Sequence, residues 1–392
     1  MTCRKLVLSI MVSTPAFILI GLLGTAATAQ PQTSLPSSAT STPVAHIYVS
    51  SAPTSTTYEI NAYAAYPNGS LSRVSGSPFA TKASYLTTNG KWLFGTNGID
   101  IYSYGIEANG ALRAGPVVDA QKYNSAPDSG GPMNLFLDHT GQSLYDGDIY
   151  VDGANNGYQA WKIIETTGQV EFQQLVKPFS TYVGAPLSFI ANNQYAYSAG
   201  CLKGTPDIYG YKRNSTGTLA VLNISPYIPP TNIAGSGYCP YLSAADPFGH
   251  VAISLTPFEP YYNVGPPQIG VYTVTSTGNL TTTSTASNMP KSAVTQVTAM
   301  SMAPSGKLLA VGGSSGLQVF HFNGANPATK YTGLLTTNQI DQMFWDNANH
   351  LYAISRKAGK LYVFTITPTS VSQASGSPHT IYHPQNIAVL PK

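Results

Sequence analysis

Residues 208–211 read Ile208-Tyr209-Gly210-Tyr211, and the same alternating apolar or aromatic pair returns six times. The copies are Ile60-Asn61-Ala62-Tyr63, Ile101-Tyr102-Ser103-Tyr104, Ala160-Trp161-Lys162-Ile163, Val271-Tyr272-Thr273-Val274, Val319-Phe320-His321-Phe322 and Val363-Phe364-Thr365-Ile366. A two-residue period is that of a β-strand, and nowhere past His46 does a 3.6-residue period take over. From the Tyr102 copy onward the second residues stand 59, 48, 63, 48 and 44 positions apart. That is close to the roughly 40–50-residue repeat of a four-stranded propeller blade. Seven copies predict seven blades.

Around each copy the rest of a blade can be read. Asn68-Gly69, Asn109-Gly110, Thr167-Gly168, Thr216-Gly217 and Thr277-Gly278 follow as tight turns, where glycine supplies a positive φ. A strand precedes each copy, as in His46-Ile47-Tyr48-Val49 and Leu351-Tyr352-Ala353, and an innermost strand precedes that, as in Asn134-Leu135-Phe136-Leu137. Pro132, Pro186 and Pro240 mark three innermost-strand starts at equal spacing, and Pro384 repeats the pattern. The first blade opens at its second strand while the chain ends on an unpaired innermost one, Asn386-Ile387-Ala388-Val389-Leu390. The C-terminal strand is therefore expected to complete blade one and close the ring, which removes exposed sheet edges. The predicted fold is an all-β, seven-bladed propeller over residues 45–392.

Ahead of it, Arg4 and Lys5 precede an apolar run from Leu6 to Gly24 and the small-residue site Ala27-Thr28-Ala29. This is the order of a secretory signal, expected to span residues 1–29 and to be cleaved before Gln30. Residues 30–44, rich in Ser, Thr and Pro, read as a tether. The expected location is secreted, periplasmic or cell-surface, with no membrane association after cleavage. The chain past residue 29 carries 17 basic and 16 acidic side chains, so no nucleic acid or other polyanion is implied as a partner. Charged residues make up 9% of the chain against about 25% in an average soluble domain, and Tyr, Gly and Pro are abundant. This palette suits secreted β-proteins and argues against a helical cytosolic enzyme.

The strings Gly90-Lys91-Trp92-Leu93-Phe94-Gly95-Thr96-Asn97, Gly306-Lys307-Leu308-Leu309, His46-Ile47-Tyr48-Val49 and the twins Ser75-Gly76-Ser77-Pro78-Phe79 and Ser375-Gly376-Ser377-Pro378-His379 resemble the lactonase-type seven-bladed propellers. That group includes 6-phosphogluconolactonase and the YVTN-repeat surface proteins. The resemblance implies the propeller fold and, for its enzymes, lactone hydrolysis. No local motif carries a catalytic residue over to a numbered position here.

In such a blade the second-to-third loops and the loops entering the innermost strands share one face. On it fall Asn134, Tyr238, Tyr241, Gln296, Gln342, Tyr261 and Tyr262 as candidate ligand-binding residues. Lactone hydrolysis needs a base and a cation for the oxyanion. His383 with Asp341 would be base and orienter, and Arg356 the cation. The loop Asp146-Gly147-Asp148 through Asp152 gathers oxygen ligands but fits no established calcium spacing, and no metal or cofactor is expected. Gly312-Gly313-Ser314-Ser315-Gly316 matches G-x-S-x-G only formally, since it joins two strands. Cys201 and Cys239, on consecutive blades, are expected to form a disulfide. The leading expectation is a module that binds a small molecule, carbohydrate or protein, with a lactone hydrolase as the alternative.

Overall fold

The computed structural model describes residues 42–392 except 55–56, 124–133, 149–156, 177–185, 191, 203–204, 224, 226, 228, 232–236 and 260–261. The expected signal, 1–29, and all but the last three residues of the tether lie outside the described residues. Strands account for almost all regular structure, in seven antiparallel sheets.

Each sheet is a blade. Blade 7, for example, runs outward through Gln342–Trp345, His350–Ser355, Lys360–Ile366 and Val371–Gln373. Blade 1 is assembled from both ends of the propeller: Pro384–Pro391 forms its innermost strand, pairing antiparallel with Ala45–Ser51, Ile47 opposite Val389. The chain thus closes the ring as its order of strands predicts. The twin Ser-Gly-Ser-Pro strings occupy equivalent places in blades 1 and 7, each leading into a short fifth strand, Phe79–Thr81 or His379–Thr380.

The core is a ring of seven clusters, one between each pair of consecutive blades. Alternation explains this directly. Successive residues of a strand point to opposite faces, so Leu144 packs against blade 2 while Tyr145 packs against blade 4. Both faces of the middle strands are buried, which is why their sequences read as continuous apolar runs.

Many of the buried residues are tyrosines, whose rings fill the interface while the hydroxyl finds an acceptor. Tyr48, Tyr145 and Tyr197, at one position of the second strand, donate to the carbonyls of Gly110, Gly217 and Gly278 in the next blade. Those glycines turn the hairpin between third and fourth strands at φ of 86°, 89° and 84°. One repeated bond therefore fastens each of these blades to its successor.

Candidate functional site

A cavity of about 420 Å³ lies on the ring axis, lined by innermost strands from all seven blades. At the face where the chain enters those strands it is ringed by Tyr85, Asn134, Ser188, Asp341, Gln342 and Asn386, with Arg356 reaching in from the second-to-third loop of blade 7.

The orientation of these groups follows from what holds them. Arg356 donates its Nε–H to the Gln385 carbonyl at 2.7 Å, and its guanidinium carbon lies 5.9 Å from the centre of the Tyr85 ring. Its two terminal nitrogens have no partner among the described residues. Asp341 accepts the backbone N–H of Arg356 on Oδ2 and the side-chain amide of Gln339 on Oδ1, both at 2.7 Å. Gln342 Oε1 accepts the Ile387 N–H at 3.0 Å, and Asn386 Oδ1 accepts the Leu86 N–H at 2.9 Å. A backbone N–H can only donate, so the oxygen of each amide is fixed toward the backbone and the NH2 group is left over. The mouth therefore offers donors: the Arg356 guanidinium and the amides of Gln342 and Asn386.

No protein-family model and no curated protein matches the sequence. Solved structures do match. A putative 6-phosphogluconolactonase from Bacteroides uniformis superposes with a TM-score of 0.68 at 11% identity, over 88% of this chain and 99% of that one. The periplasmic gluconolactonase of Pseudomonas aeruginosa gives 0.63 at 14%, over 88% and 99%. A putative 6-phosphogluconolactonase from Bacteroides fragilis gives 0.61 at 12%, over 91% and 99%. The chain has the fold of the 6-phosphogluconolactonase-like propellers.

Within that propeller the residues expected at the site are distributed unevenly. Asn134, Asp341, Gln342 and Arg356 line the cavity. His383 does not. It is exposed at φ 45°, its ring edge-on to Tyr382 at 4.2 Å, so base and orienter are not brought together. Gln296, at φ 46° and exposed, occupies the equivalent position before the innermost strand of blade 6 and is likewise outside the lining. Tyr238 is buried in the interface of blades 4 and 5, donating to Gln268 at 2.6 Å, and burial pushes its hydroxyl up from the usual phenol range. Tyr241 is half-buried and does not line the cavity. Tyr262 lies in a two-residue strand paired with His250–Glu259, and Tyr261 falls outside the described residues.

Of the acidic loop, Asp146 is buried in its strand and Asp152 lies outside the described residues. Among the described residues no group of three or more His, Cys, Asp or Glu is placed to hold a metal. The Gly312–Gly316 string is a hairpin, as its position between strands predicts. Cys201 and Cys239 are bonded, with Cα atoms 5.2 Å apart, and tie blades 4 and 5.

One arrangement imitates catalytic machinery. His350 Nδ1 sits 2.8 Å from Asp346 Oδ2, which also accepts the Tyr352 hydroxyl at 2.9 Å. Burial pushes the Asp346 carboxyl up, but the bonds from His350 and Tyr352 outweigh it and leave it below the ordinary carboxylate range. All three side chains are buried, and His350 Nε2 faces the Pro67 carbonyl of blade 1 at 3.2 Å. The group is a brace between blades. Asp246 with His250 repeats the pair in blade 5, and Asp138 of blade 3 pairs instead with Arg213 of blade 4, an Asp opening the hairpin after the innermost strand each time. Three such aspartates at one blade position were a readable sequence signal.

Proposed function

We propose that the protein is an exported propeller that binds a small anionic ligand in its axial cavity. The observation that carries this reading is the donor set at the mouth, where Arg356, Gln342 and Asn386 line one cavity and the remaining N–H groups of the guanidinium and of the two amides have no hydrogen-bond partner among the described residues. A guanidinium and two amides with spare N–H donors suit an acceptor-rich, anionic partner. Export is supported by the signal-like N-terminus and the disulfide, and by the periplasmic location named for one structural neighbour.

Lactone hydrolysis is the second reading, favoured by the neighbours named as lactonases and by the Asp341 carboxylate beside Arg356. It needs a base to activate water, and Asp341, each of whose oxygens accepts one hydrogen bond, keeps acceptor capacity for that role. Thermal-shift titration against a panel of carboxylates and sugar lactones, run beside a pH-stat assay of lactone opening, separates the two. The binding reading expects stabilisation by carboxylates and no turnover. Turnover abolished by Asp341→Asn would replace it with the hydrolase.

A further inference from the structure

The three donors of the mouth share one dependence. Arg356 is held through the Gln385 carbonyl, Gln342 through the Ile387 N–H, and Asn386 is the residue between those two. All three contacts thus fall on consecutive residues of the C-terminal strand, Pro384–Pro391, which closes the ring. A β-bulge makes the first of them possible. Asn386 lies opposite Ser50 and Pro384 opposite Ser51, so Gln385 is an extra residue with no partner in the ladder. Its carbonyl accepts the Arg356 Nε–H at 2.7 Å instead. Asn386 reaches forward to blade 2, where it accepts the Leu86 N–H, and Gln342 reaches in from blade 7. The strand is therefore bonded to both neighbouring blades through the groups that form the mouth.

We propose that ring closure and anion binding are one linked equilibrium: the donor set assembles only while the C-terminal strand is docked, and a bound anion holds that strand, and so the ring, shut. This rests on the binding function proposed above and names what controls its site. The other six innermost strands run directly on into the second strand of their own blade. The C-terminal strand is joined to Ala45–Ser51 by hydrogen bonds and packing, with no hairpin between them. It is the one innermost strand whose release from its blade breaks no local connection. On release Asn386 leaves the mouth, the Arg356 Nε–H loses its acceptor, and Gln342 loses the bond that orients its amide. A ligand that needs all three binds the closed protein alone, and binding to one state stabilises that state by mass action.

Hydrogen exchange of the amides of residues 387–390, followed by mass spectrometry with and without gluconate or hexanoate, tests the linkage. It is run on Leu390→Ala, which loosens the strand between blades 1 and 2 at the end away from the mouth, so that it opens ahead of the rest of the propeller. Val389→Ala, at the same end, serves if that variant does not fold. At about 100 times the Kd, taken from calorimetry on the same variant, exchange across residues 387–390 should slow about a hundredfold. The outermost strand of blade 3, Gln169–Val176, touches no part of the mouth and should exchange as before. Adding Arg356→Gln should cut the slowing at that concentration to about tenfold or less. Unchanged exchange of the C-terminal strand at saturation by a carboxylate whose binding depends on Arg356 overturns the linkage and leaves the anion site standing. Equal slowing in both strands also overturns it, since the ligand then stabilises the fold as a whole. No heat from either carboxylate removes the anion site and the linkage with it.

Discussion

The carboxylate of Asp341 accepts the backbone N–H of Arg356 at 2.7 Å, fifteen residues along the chain. The acid at the cavity mouth thus fixes the loop that presents the cation. Asp341→Ala should free that loop and weaken carboxylate binding about tenfold, roughly the worth of one charge-assisted hydrogen bond. Asp341→Asn keeps an acceptor there and should stay within a few-fold of wild type by calorimetry. If Asn is as damaging as Ala, the negative charge itself matters and the positioning role is refuted.

Tyr48 and Gly110 offer a measure of blade-to-blade fastening. The Tyr48 hydroxyl donates to the Gly110 carbonyl at 3.1 Å, and a Cβ on Gly110, at φ 86°, would meet the His46 ring at 2.8 Å. Tyr48→Phe should cost about 1 kcal/mol in urea unfolding, the ordinary value of a buried hydrogen bond. Gly110→Ala should cost more, on the order of 2–4 kcal/mol, since it combines backbone strain with a clash in a buried interface. Equal costs would show that the glycine's conformation carries no special weight.

His46 sets a pH dependence. Burial, aided by the Lys392 charge, pushes its pKa down to about 4 from 6.5, and its Nδ1 has no hydrogen-bond partner among the described residues. The unfolded chain binds a proton near 6.5 that the folded chain refuses until about 4. Stability is therefore fully present above 6.5 and is lost as pH falls toward 4, by roughly 3 kcal/mol at the limit. Urea midpoints at pH 7.5 and 4.5 should fall much less in His46→Gln than in wild type. Parallel losses in the two proteins would remove His46 as the cause.

Much of this architecture is legible in the residues themselves. Strand alternation, turn glycines and the orphan Asn386–Leu390 strand identify seven blades and their closure, because two-faced burial leaves a repeating pattern along the chain. The mouth is legible in part: Asn134, Asp341, Gln342 and Arg356 follow from knowing which loops share a face. His383 and Gln296 do not follow, because a left-handed backbone at each turns the side chain out, and no glycine announces the reversal. Tyr238 is misread for a different reason. Its innermost strand begins earlier than expected, at Gly237, with a register shift between Pro240 and Ser243, so Tyr238 joins the blade interface. That Met300, Met302 and Phe344 border an axial cavity is hidden altogether, since they alternate as any strand's residues do, and only ring closure brings the innermost strands around one axis.

The account turns on Arg356. Calorimetric titration of wild type, Arg356→Gln and Arg73→Gln with gluconate and with hexanoate tests it most directly, Arg73 being an exposed arginine on an outer strand of blade 1. At least one of the two carboxylates is predicted to bind wild type and the Arg73 variant equally, and the Arg356 variant at least tenfold more weakly. Undiminished affinity in Arg356→Gln, or no binding of either carboxylate to wild type, would contradict the assignment of the axial cavity as an anion site.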